Sequence, residues 1–289
     1  MTRPTPKPIC TRVPVPGLKR EYTILHITDL HACAVDEAEA ASMPKARLDY
    51  IRQRQALFGG GRPYPSEAAL PALFEYGAER GADLILLTGD ILDFPSDTNL
   101  SLLGACIRHS EVPVLYVTGN HDWSFADDYH TRNAETLHLP RVGALSGGNH
   151  HFATWETEDL LVCALDSGRD RISEATADAY TAAVRHARMT GKAMILAQHV
   201  PVHVDTLVAD STRVWGKELA IGEGALGDWD AHTVRFYREV ALNRDTAPDA
   251  VIAGHVHFDH EDVFPNGVPQ YITDVACDGH CRVITLFPV

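Results

Sequence analysis

The sequence predicts an α/β fold with helices layered over sheet, and three observations carry that expectation. Short, continuously apolar runs recur at 22–28, 84–88, 114–118, 160–165, 193–197, 250–253, 271–275 and 283–287, the pattern of strands covered on both faces. Helical stretches lie between several of them. The strongest runs end in Asp, Asn or His, where the carboxyl ends of strands in α/β proteins present loops to ligands.

The elements follow in order. The opening MTRPTPKPIC is proline-rich, lacks the apolar stretch of a signal peptide and predicts no element. The run TILHIT leads into Asp29-Leu30-His31. Residues 32–65 then join an Ala/Glu-rich helical patch to FGGGRPYP, expected as a surface excursion or cap. Ser66 can cap a helix through SEAALPALFEYGAER that stops at Gly81. The next runs end in Gly89-Asp90 and in Gly119-Asn120-His121-Asp122. Ser173 can cap a helix ending near Gly191, after which MILAQ runs into His199. Residues 200–229, with Trp215 and Trp229 among glycines, form a second expected excursion. A helix from Asp230 to about Asn243 precedes the run that ends in Gly254-His255-Val256-His257. With no repeat and no low-complexity linker, one domain over 1–289 is expected.

Composition narrows the function. The 289 residues are 45% hydrophobic and 22% charged, ordinary globular usage that excludes collagen, coiled coil and wholesale disorder. A net charge of −14 argues against a nucleic-acid groove. No run approaches the roughly 18 apolar residues of a membrane helix, so a cytoplasmic protein without a membrane partner is expected. Cys10, Cys33, Cys106, Cys163, Cys277 and Cys281 form no CxxC and are expected to be reduced thiols, with Cys163 buried in a strand and Cys33 a small filler.

Seven strand-end residues, Asp29, His31, Asp90, Asn120, His199, His255 and His257, exceed the needs of one tetrahedral ion. They suit two ions of hard or borderline type sharing a carboxylate. The absence of cysteine from this set argues against a structural zinc of the finger type. Glycines before Asp90, Asn120 and His255 let the chain turn sharply off each strand.

The order D-x-H, G-D-x-x-D, G-N-H-D, lone H, G-H-x-H over residues 29–257 resembles the calcineurin-like metallophosphoesterases. The resemblance implies a four-layer α/β/β/α sandwich of two mixed sheets flanked by helices, with the metal site at the C-terminal ends of strands. It implies that Asp29, His31 and His257 hold one metal, that Asn120, His199 and His255 hold the other, and that Asp90 bridges both. His121 would face the substrate as proton donor, oriented by Asp93. Mn, Fe or Zn, divalent or of mixed valence, all suit these ligands. Such a pair leaves the site positive within an acidic chain and permits attack on a P–O bond by metal-bound hydroxide.

A small phosphodiester or nucleotide is the expected substrate, with a phosphomonoester, or a non-catalytic interaction module on the same fold, as alternatives. Phe94-Pro95 and Asp122-Trp123 stand where protein phosphatases of the family carry Arg-Gly after GDxxD and GNHE followed by Arg, which argues against phosphoproteins. The segment 222–227 matches GxGxxG without a preceding strand and is expected to be a loop. His150, His151, His203, His260 and His280 are expected at surface or supporting positions, with His203 and Asp259 nearest the ligands in sequence. The sequon at Asn99 carries no weight without a secretory signal. Arg213, Trp215, Lys217 and Trp229 are expected to form a wall that selects the substrate.

Overall fold

Residue-by-residue alternation within single strands builds the layers of this protein, whose computed structural model describes residues 4–221 and 229–289. One sheet has the order β1 (Lys7–Pro14), β11 (His280–Phe287), β2 (Tyr22–Ile27), β3 (Leu84–Thr88), β4 (Val114–Val117). The other runs β5 (Phe152–Glu156), β6 (Leu160–Leu165), β7 (Ala193–Gln198), β8 (Ala250–Ala253), β10 (Pro269–Ile272), β9 (His260–Val263). Both are mixed: β2, β3 and β4 are parallel, as are β6, β7, β8 and β10, while β11 with β2, β5 with β6 and β9 with β10 are antiparallel.

Ile24, Leu84, Leu86, Leu115 and Val117 face the second sheet, meeting Leu160, Val162, Ile195 and Ile252. Their neighbours Leu25, Ile27, Ile85 and Leu87 point the other way, onto α3 (Ala69–Glu79) and α4 (Asp97–His109) through Leu70, Leu73 and Leu103. On the far side Leu161, Cys163 and Leu196 pack under Tyr180 and Val184 of α7 (Glu174–Thr190) and Phe236 of α9 (Ala231–Tyr237). Period-2 side chains thus fill two different interfaces, which explains why the runs are apolar at every position. The result is the four-layer α/β/β/α sandwich.

Ser173 and Asp230 cap as expected: Ser173 accepts from the Thr176 amide, and Asp230 from His232 and Thr233. Ser66 does not, because its hydroxyl donates to the His31 carbonyl at 2.8 Å and it opens a short 3-10 turn, so α3 begins at Ala69 without a side-chain cap. The helix after Asp230 passes into a π-turn, Arg238–Leu242. Cys163 is buried in β6, Cys33 is buried, and all six cysteines are free thiols. Among the described residues no helix is long and apolar enough to cross a membrane.

Several elements differ from expectation. The proline-rich opening is strand β1, parallel to β11. As an edge strand it needs no ladder donor at Pro8 or Pro14 on its free side. Residues 32–65 are not simply a loop, since they hold α1 (Glu37–Ser42) and α2 (Lys45–Gly59). Helices α5 (Arg132–Leu137) and α6 (Leu139–Gly143) follow β4. The 200–229 segment includes α8 (Asp205–Trp215). The GxGxxG match lies outside the described residues.

Candidate metal centre

Each ligand candidate sits just past a strand, and the backbone there is forced into an unusual shape. Asp29, His31, Asp90, His255 and His257 all have positive φ, at 53°, 50°, 49°, 73° and 59°. Left-handed backbone at a non-glycine residue costs on the order of 1–3 kcal/mol and persists only where surroundings impose it. Here the imposing contacts are visible. Asp122 accepts from the amides of Asp90 (2.8 Å), Leu92 (2.8 Å) and Gly119 (2.6 Å), tying the β3 and β4 loops together. Asp29 Oδ2 accepts from Thr28 Oγ1 (2.6 Å) and from the His255 amide (2.8 Å), tying the β2 and β8 loops. A Cβ on Gly254 would stand 1.9 Å from Thr28 Oγ1, so only glycine lets these two loops meet.

The side chains converge as two triads. Asp29, His31 and His257 place ligand atoms within 4.8 Å of one another, as do Asp90, His199 and His255. Asn120 joins the second, its Oδ1 3.0 Å from His199 Nε2. Asp90 Oδ2 lies between them, 3.8 Å from His31 Nε2 and 3.3 Å from His199 Nε2.

Hydrogen-bond accounting shows what these atoms need. His199 Nδ1 faces the Thr88 carbonyl at 2.8 Å, and His31 Nδ1 faces Asp93 Oδ1 at 2.8 Å. Both Nδ1 atoms therefore carry the proton, and both Nε2 atoms turn a lone pair inward. His31 Nε2 then meets His257 Nε2 at 3.1 Å, and His199 Nε2 meets His255 Nδ1 at 3.1 Å. Buried Asp29 Oδ1 makes no hydrogen bond of good geometry, and His257 Nε2 lies 3.2 Å from it. Acceptors aimed at acceptors, two carboxylates among them, fit two cations of the hard-to-borderline class.

Negative charge gathers here: against the opposition of burial, Asp90 carries the pKa of His199 up to about 10, so a proton on Nε2 competes with a cation for that lone pair. Burial and the His199 charge hold His255 down to about 3.

His121 projects beside the same atoms, grouped with His31 and Asp90. Its amide donates to Asp90 Oδ1 at 2.8 Å. Burial, opposed by Asp90 and reinforced by His31, pushes its ring down to about 4. Asp93, expected to orient His121, lies 3.5 Å from its Nδ1. Its short hydrogen bonds go instead to His31 and to Arg54, whose Nε and Nη2 reach it at 2.8 and 2.5 Å. The reason is steric priority: two donors already occupy the Asp93 oxygen nearest His121.

The triads open into a cavity of about 900 Å³. Arg54, Arg62, Arg169 and Lys217 reach it, as do Phe58, Tyr129 and Trp215. Trp215 sets its ring edge-on to His257 at 5.5 Å and donates Nε1–H to the Val256 carbonyl at 2.8 Å. Trp229 and Arg213 do not line this cavity. His150 and His151 pack on each other, His203 pairs with Glu218, His260 with Asp262, and His280 with Asp274, all outside both triads.

The sequence pattern of the calcineurin-like phosphoesterase family, Metallophos, matches residues 22–259. The chain belongs to this family. It is a metal-dependent phosphoric ester hydrolase with a dinuclear centre. No curated protein sequence matches it. Its fold is similar to that of a dimetal phosphatase from Danio rerio, at 12% identity and a TM-score of 0.54 over 89% of this chain and 88% of that one. It is also similar to purple acid phosphatase PPD1 from yellow lupin (Lupinus luteus) seeds, at 12% identity and a TM-score of 0.53 over 92% of this chain. The match spans 45% of the lupin chain. At these identities the likeness is one of fold.

Sequence reasoning missed Asp122, Arg54, Phe58, Tyr129 and His130. Tyr129 and His130 hold Asn120: its Nδ2 meets the Tyr129 hydroxyl at 2.9 Å, and its carbonyl meets His130 Nε2 at 3.0 Å. For Asp122 the signal was present in the GNHD block itself. For Arg54 and Phe58 it was their spacing of four, one face of a helix.

Proposed function

We propose that this protein hydrolyses a small phosphodiester or nucleotide, with Asp29, His31 and His257 holding one Mn, Fe or Zn ion, Asn120, His199 and His255 the second, and Asp90 shared. The observation that supports this reading is the position of Asp90 Oδ2 between the inward Nε2 atoms of His31 and His199. When bound, such a pair of divalent cations clamps phosphate oxygens and lowers the pKa of water toward about 7.

The chain's own groups do the rest. Asp90 and Asp29 fix the spacing of the two halves, and their rigid left-handed loops hold that spacing through turnover. His121 carries a proton to the leaving oxygen. Tyr129 and Trp215 offer rings to the organic group of the ester, and Arg62 and Lys217 offer charge to its anionic part.

The test is a manganese-reconstituted preparation assayed on cyclic nucleotides, simple monoesters and single-stranded DNA. Turnover is expected to be fastest on the small diesters or nucleotides. Asp90→Asn should lose nearly all of it. Preference for simple monoesters would reassign the substrate, and absence of turnover on every ester would favour the interaction-module reading.

A further inference from the structure

Helix α2 lies within the stretch that reads in sequence as a surface excursion, yet it grips a ligand candidate from two sides. Arg54 forks onto Asp93, with Nε to Oδ2 at 2.8 Å and Nη2 to Oδ1 at 2.5 Å. Asp93 is fully buried in its side chain and receives His31 Nδ1 at 2.8 Å. One turn further along, Phe58 lies flat on the His31 ring, with centroids 4.3 Å apart and planes 6° from parallel. The Arg54 guanidinium lies over the same Phe58 ring at 4.7 Å. Arg54, Phe58, Asp93 and His31 therefore form one closed cycle of contacts.

We propose that Arg54 and Phe58 are positioning residues for His31, and thereby set the metal affinity of the Asp29/His31/His257 half without touching the Asn120/His199/His255 half. This rests on the ligand assignment proposed above. The physical case has two parts. A carboxylate on the far nitrogen of a ligating histidine fixes its tautomer and raises its basicity, and removing such support costs roughly 10–100-fold in affinity. A buried carboxylate without a countercharge is itself unstable. Arg54 supplies that countercharge in a planar two-point geometry which lysine does not reproduce. Phe58 blocks rotation of the imidazole about its Cβ–Cγ bond. The second half has its own supports in Thr88, Tyr129 and His130, none of which α2 supplies.

Stepwise Mn²⁺ binding, followed by calorimetry and electron paramagnetic resonance, tests this. Wild type should take up two ions and show a spin-coupled pair. Arg54→Met and Phe58→Ala should each weaken one step by about 10–100-fold, leave the other unchanged, and show a mononuclear six-line signal at intermediate Mn²⁺. Arg54→Lys should recover part of the loss. Arg47→Met controls for loosening of the helix: Arg47 ties α2 to Asp127 at 2.7 Å, away from His31. Equal losses in Arg47→Met and Arg54→Met, or two unchanged steps in both Arg54→Met and Phe58→Ala, would overturn the proposal. Failure of wild type to bind a second ion would instead overturn the ligand assignment.

Discussion

Gly119 and Asp90 approach so closely that a Cβ built on the glycine would stand 2.3 Å from Asp90 Oδ1 and 2.6 Å from its backbone nitrogen. The carboxylate proposed to serve both metals is thus positioned by the absence of a side chain on the neighbouring strand end. Gly119→Ala is expected to displace the Asp90 loop, at an overpacking cost of about 1–3 kcal/mol. Metal content after gel filtration and the thermal midpoint should both fall. Full metal content with normal turnover would show that the loop adapts.

His121→Ala is expected to leave two ions bound and to slow hydrolysis by about 10²–10⁴-fold for esters with poor leaving groups, the usual worth of proton donation. For a nitrophenyl ester, which needs no proton, the loss should be much smaller. A uniform loss across leaving groups would remove the proton-donor role, and loss of metal would make His121 a ligand.

Trp215 is 46% exposed at the end of α8 and edges against His257. Trp215→Ala is expected to raise KM for aromatic or nucleoside esters while leaving small aliphatic esters unaffected. Unchanged discrimination in a folded variant would confine the tryptophan to packing.

His26 is buried between Thr88 Oγ1 (2.6 Å) and Thr273 Oγ1 (2.8 Å). Burial, aided by the charge of Arg282, holds its pKa down to about 3. The unfolded chain takes up this proton near pH 6.5 and the folded chain does not. Stability is therefore full above pH 6.5 and is lost as pH falls from there toward 3, by about 1.4 kcal/mol per unit from this residue alone. Urea unfolding of chelated protein should show a shallower acid limb for His26→Gln; superimposable limbs would refute the assignment.

How much was legible in the sequence follows from distance along the chain. Asp29, Asp90, Asn120, His199 and His255 each follow directly on a buried strand, so local order alone fixes their place. Arg54 acts on Asp93, 39 positions away, through a helix with only Ile51 and Phe58 buried. With so few inward positions its apolar periodicity is faint, and the segment reads as surface. Strand β1 was hidden for a different reason: its prolines disfavour a central strand and are compatible only with an edge. Tyr129 and His130 stack on each other in a loop, centroids 4.0 Å apart, where no periodicity exists to expose them.

Five ligand candidates bear a backbone shape that glycine adopts freely and that aspartate and histidine tolerate only under restraint. Selection for chemistry and selection for a durable fold therefore pull against each other at residues 29, 31, 90, 255 and 257. A lineage that no longer needed turnover would gain a sturdier protein by drifting to glycine there. Asp and His at all five positions therefore hold ligand atoms in place at the expense of backbone ease.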